Sequence, residues 1–170
     1  KFVDITEISR VRGENRWSSG VAIVDINNDG LMDIYSCATM EKDPEKRRNV
    51  LYVNKGNNSN GIPIFDEVAD EYGINDDSHT TNAAFFDADN DGDLDLFLAV
   101  NEMDKKHSPN VFKKKSDDGS SIRRDKLFRN DFDNKKGHAV FTEISIEAGI
   151  KIEGYSLGLN ICDINRDGWK

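Results

Sequence analysis

What the chain is short of narrows its class first. No apolar run approaches the roughly 20 residues a membrane-spanning helix requires. Cys37 and Cys162 are its two cysteines, too few for a disulfide scaffold. Both lie in apolar strand-like runs, MDIYSCA and LNICDI, and are expected as buried structural thiols. The three histidines, His79, His107 and His138, lack the spacing of a zinc site. Positive charge is scarce: 23 Lys and Arg oppose 32 Asp and Glu, a formal net charge of -9. Such a chain repels a phosphate backbone, which argues against a nucleic-acid partner. No nucleophile motif, phosphate-cradling loop or catalytic metal set is present, so no catalytic residues are assigned and no enzyme is expected. The opening KFVDITEIS carries no signal-peptide pattern, as in an intracellular protein or a processed chain.

What is present is a repeat. Asp25, Asp87 and Asp163 each open an acidic loop, 62 and 76 residues apart. Trp17, His79 and Tyr155 lie eight residues before them, and Gly20, Asn82 and Gly158 five before. Phe2, Phe65 and Phe141 each begin a strand-like run 22 or 23 residues ahead of a loop. LYVN at Leu51 and LFRN at Leu127 each precede their Phe by 14 residues. The interval from loop to LYVN or LFRN grows from 26 to 40 residues, so the whole 14-residue difference falls in one loop.

Each repeat reads as four short strands rich in β-branched and aromatic residues, bounded by Gly, Asn and Asp. They are GVAIVD or AAFFD, MDIYSCA or LDLFLAV, NVLYVN or KLFRN, and IFDEVAD or VFTEISI. The first two are almost continuously apolar, as strands covered on both faces would be. The expected fold is all-β, a propeller of four-stranded antiparallel blades. Residues 1–12 would be the outer strand of a preceding blade, 13–74 and 75–150 two blades, and 151–170 the start of a next one. Two blades and fractions do not complete a propeller, which points to a piece of a longer chain.

The loops explain their own charge. The first carries Asp25, Asn27, Asp29, Gly30 and Asp33 at positions one, three, five, six and nine. The second carries Asp87, Asp89, Asp91, Gly92 and Asp95, and the third Asp163, Asn165, Asp167 and Gly168. Position seven varies among Leu31, Asp93 and Trp169, which suits a site using only its backbone carbonyl. Hard oxygen donors without His or Cys favour Ca²⁺. An EF-hand needs a Glu at the twelfth position, where Ser36 and Leu98 stand. The ninth-position Asp is expected to close the coordination instead. The ion would tie two strand ends together, so its binding becomes folding stability.

GVAIVDINNDGLMDIY and AAFFDADNDGDLDLFLA resemble FG-GAP/VCBS repeats, the calcium-loop blades of integrin-type propellers. The LYVN/LFRN pattern, with its following Phe-x-Glu and Ala-Gly-Ile, is closer to the ASPIC/UnbV and cartilage acidic protein type. The resemblance implies a usually seven-bladed propeller that is extracellular, at the cell surface or periplasmic. It also implies ligation by side chains at positions one, three, five and nine and by a carbonyl at seven.

A partner, protein or glycan, is expected at the end opposite the calcium loops. The 14-residue insertion lies there, in residues 101–126, with eight Lys and Arg against five Asp and Glu. Lys113, Lys114, Lys115, Arg123 and Arg124 are candidates for an acidic partner, and Trp17, His79 and Tyr155 for stacking on sugar rings. The function expected is a calcium-stabilised binding module. The alternative is the propeller domain of a secreted carbohydrate-active enzyme with its site on that same face.

Overall fold

The computed structural model describes residues 1–102 and 114–170. Two four-stranded antiparallel sheets carry the chain, each built in sequence order. The first holds β1 (Ser18–Val24), β2 (Asp33–Ala38), β3 (Val50–Asn57) and β4 (Pro63–Glu67). The second holds β5 (Thr80–Phe86), β6 (Asp95–Val100), β7 (Lys126–Asp133) and β8 (His138–Glu143). Two one-turn helices are added, α1 (Pro44–Arg47) and α2 (Ala69–Tyr72).

The sheets repeat in register. Ala22 pairs with Tyr35 and Ile34 with Tyr52; their counterparts Ala84 with Phe97 and Leu96 with Phe128 pair identically. The ladder slips at the same place in both, between Ser18 and Val21 and between Thr80 and Asn82. The core lies between the sheets. Tyr35, Cys37, Leu51 and Val53 of the first face Ala83, Leu96, Leu98, Phe128 and Phe141 of the second. Tyr35 meets the Phe85 ring edge-on at 5.5 Å, a favoured aromatic geometry.

Where β1 lies beside β5, the Ser19 hydroxyl donates to the Thr80 carbonyl at 2.6 Å. The Thr81 hydroxyl, 62 residues on from Ser19, donates to the Ser156 carbonyl at 2.7 Å. Ser156 stands to Thr80 as Thr81 stands to Ser19, so the link between units recurs with the repeat. A second link does the same. Asn49 accepts from the Ala38 amide and donates to the Thr80 hydroxyl; Asp125 accepts from the Val100 amide and from the Ser156 hydroxyl.

Four expectations change. IFDEVAD is not strand throughout: β4 ends at Glu67, whose carboxylate accepts the Leu51 and Ala69 amides and turns the chain into α2. Residues 1–12 and 154–162 form no strand: each meets a sheet through a lone backbone bond, Phe65 to the Ser9 carbonyl and Ser156 to the Val100 carbonyl, rather than through a ladder. Cys162 therefore lies exposed, whereas Cys37 is buried as expected. β1 is covered on one face only: Val21 and Ile23 are 58 % and 60 % exposed because no described residue packs on them. The N-terminal segment still shares the end of the repeat. Val11 donates to Thr6, Ile74 to Ala69 and Ile150 to Ser145, each just after a left-handed residue, Arg10, Gly73 or Gly149.

Candidate metal centre

The acidic loops link β1 to β2, link β5 to β6, and occupy residues 163–170. All three share one backbone path. The fourth position is left-handed at Asn28, Asn90 and Arg166, with φ of 55°, 60° and 63°. The sixth is Gly30, Gly92 or Gly168, at 83°, 98° and 94°, where a Cβ would be strained.

The side chains repeat too. The first carboxylate accepts from the sixth residue's amide: Gly30 to Asp25 at 2.9 Å, Gly92 to Asp87 at 3.2 Å, Gly168 to Asp163 at 2.8 Å. The fifth accepts from the seventh: Leu31 to Asp29, Asp93 to Asp91, Trp169 to Asp167. Asn27 and Asn165 each donate an amide N–H to the fifth carboxylate. In loops one and three, the remaining oxygen of the first Asp accepts the fifth amide. In loop two that oxygen, Asp87 Oδ1, is buried with no hydrogen-bond partner. Asp87, Asp89 and Asp95 there bring carboxylate oxygens within 4.8 Å of one another. An orphaned buried oxygen inside a convergent carboxylate set fits a hard cation.

The ninth Asp does more than was expected of it. Asp33 and Asp95 are 0 % and 2 % exposed. Asp33 accepts the Ile26 amide at 3.0 Å and the Asn54 amide of β3 at 2.7 Å. Asp95 accepts the Ala88 and Asn130 amides, both at 2.8 Å. Each therefore ties its loop to the third strand without any ion. Burial pushes both carboxyls above the usual range, and nearby loop carboxylates add to the shift.

Position seven is not chemically indifferent in loop two. Burial first, then Asp91 and Asp95, push the Asp93 carboxyl up to about 7, and its Oδ1 has no partner. Sequence reasoning assigned that residue only a backbone carbonyl; a fifth Asp in DADNDGDLD was the available signal.

The opposite-end candidates do not form one basic surface. Arg123 lies 3.7 Å from Glu153 and donates to the Glu102 carbonyl; Arg124 lies 2.6 Å from Glu143 and donates to the Gly119 carbonyl. Both side chains are largely covered and their charge is matched within the protein. Sequence reasoning missed the reason, Glu153, whose carboxylate also accepts from Ser116 and Ser121 and anchors residues 116–123. Lys114 and Lys115 are exposed, and Lys113 lies outside the described residues. Trp17 and Tyr155 are 61 % and 53 % exposed. His79 sits 3.9 Å from Glu102 in a cavity of about 270 Å³ that Arg47 and Lys126 also line. The Trp17 and His79 carbonyls accept equivalent amides, from Thr39 and Asn101, both at 2.9 Å. Among the described residues, no helix is long and apolar enough to cross a membrane.

Comparison with known protein families finds no family model that matches the chain, and comparison with curated proteins finds no match.

Proposed function

We propose that the two sheets are successive blades of a calcium-stabilised β-propeller of FG-GAP/VCBS type, serving outside the cell as a module that binds a protein or glycan. The observation that carries the fold part is the recurrence of the inter-unit bond, Ser19 to Thr80 and then Thr81 to Ser156. Blades set side by side by a repeated contact between first strands generate a ring rather than a closed sandwich.

Ca²⁺ is the ion the donor set favours. In loop two, Asp87, Asp89, Asp91 and Asp95 would hold it together with the Asp93 carbonyl. In loop one the holders would be Asp25, Asn27, Asp29, Asp33 and the Leu31 carbonyl, and in the third Asp163, Asn165, Asp167 and the Trp169 carbonyl. The ion's part is to neutralise carboxylates that otherwise repel, so binding adds to folding stability through mass action. Sites of extracellular modules are commonly weak, with Kd of about 10⁻⁴–10⁻³ M.

The test is a thermal melt in chelator, in Ca²⁺ and in Mg²⁺. The melting temperature should rise with Ca²⁺ and much less with Mg²⁺; an unchanged melt in excess chelator overturns the calcium reading.

A further inference from the structure

A groove with a volume of about 550 Å³ lies between the first two acidic loops. That is the size of a small-ligand cleft, roughly 300–1,000 Å³. Loop one contributes Asp25 and Asn27 to it, loop two contributes Asp93, and the second sheet contributes Asn130, Phe132 and His138. We propose that this groove binds a sugar ring of a neutral glycan.

The first argument is an unsatisfied acceptor. Asn130 is 3 % exposed, yet its Oδ1 has no hydrogen-bond partner. Its amide donates to Asp95 and its Nδ2 to the Leu94 carbonyl, so the side chain is fixed with that oxygen unspent. The first sheet shows the contrast. Asn54, the counterpart, accepts the Gly56 amide at 2.9 Å, because β3 slips register against β4 between Asn54 and Asn57. β7 pairs with β8 without a break from Phe128 to Asp133, so no amide turns back to Asn130. Asp93 Oδ1 is a second buried acceptor without a partner on the same groove. A buried acceptor left unpaired is costly, so a ligand bringing O–H donors is favoured.

The second argument is the lining. Phe132 is 62 % exposed on the regular strand β7, a rigid ring free to take the C–H face of a sugar. Tyr72 and His138, which also line the groove, stack with ring centres 4.7 Å apart.

The third argument is charge. On the calcium reading, on which this ligand class rests, Asp25 is occupied by the ion. Lys55, Glu71, Asp93 and His138 are then the remaining acidic and basic side chains on the lining. They offer no positive excess for a sulfated or uronic chain, so a neutral hydroxylated ring is the better match.

The test is calorimetric titration of the whole chain with cellohexaose, maltohexaose, mannohexaose and xylohexaose, in Ca²⁺ and in chelator, with melts run alongside. At least one glycan should bind, Phe132→Ala should weaken it about tenfold without lowering the melt, and Trp17→Ala at the other end should leave it unchanged. Failure of all four glycans to bind a chain that Ca²⁺ does stabilise overturns the groove proposal alone. So does binding that Phe132→Ala spares, or that Trp17→Ala abolishes. Tighter binding of an oligolysine or a sulfated glycan at the same groove overturns the ligand class. Glycan binding lost with Phe132→Ala in a chain indifferent to Ca²⁺ upholds the groove and removes the calcium reading instead.

Discussion

Gly20 of β1 lies so close to Thr81 of β5 that a Cβ at position 20 would stand 2.7 Å from the Thr81 carbonyl oxygen. It would also stand 2.8 Å from the Asn82 Cα. Both are backbone atoms, which cannot swing aside. The two first strands approach this closely because the residue between them has no side chain.

Gly20→Ala should therefore destabilise the protein by about 1–3 kcal/mol, the cost of an overpacked contact. Gly158 holds the same place in the next repeat but has nothing within 4 Å of its would-be Cβ. Gly158→Ala should be close to neutral. Denaturant melts of the two variants check the contrast.

Asp33 and Asp29 should fail in different ways. Asp33→Ala strands the Ile26 and Asn54 amides, at about 1–3 kcal/mol for each buried group, so it should destabilise with or without calcium. Asp29 is exposed and its carboxylate accepts only within its own loop, from Asn27 and Leu31, so on the calcium proposal Asp29→Ala should lose mainly the stability that the ion adds. Melts of both variants in chelator and in Ca²⁺ separate the two roles.

Asp93 gives the ion-free protein a pH dependence. Its carboxyl titrates at about 7 when folded, raised chiefly by burial and by Asp91 and Asp95. The folded state thus binds this proton more tightly than the unfolded chain, whose Asp titrates near 3.9. In chelator, stability should rise as pH falls from about 8 through 7 toward 4, since protonation removes the repulsion. Saturating Ca²⁺ should suppress that rise, and Asp93→Asn should remove the part of it near pH 7 in chelator, leaving the part that Asp33 and Asp95, also raised, contribute. Melting temperature against pH for the three samples reads it directly.

The two thiols should differ in reactivity. Burial first, and Asp76 second, push the Cys37 thiol up to about 12, so it stays protonated and enclosed. Cys162 is exposed on a segment without strand pairing. A maleimide reagent should label Cys162 in the native protein and Cys37 only on unfolding, with peptide mapping as the readout.

Much of the fold was legible in the sequence because it is encoded locally. Strand runs such as DIYSCA and DLFLAV carry their own β-branched and aromatic signature, and both form where the repeat spacing put them. The acidic loops were equally legible, since an Asn two residues before a Gly allows the two left-handed positions in loops one and two, and loop three takes the same path with Arg166 in place of the Asn. What tertiary structure alone decided depends on partners far along the chain. Whether Asp33 serves an ion or β3 turns on an amide 21 residues away, and whether Arg123 meets a ligand turns on Glu153. The asymmetry between Asn54 and Asn130 comes from a register slip that one sheet has and the other lacks. Local chemistry set the repeating unit; long-range pairing decided which of its polar groups were satisfied within the protein and which were left for something else.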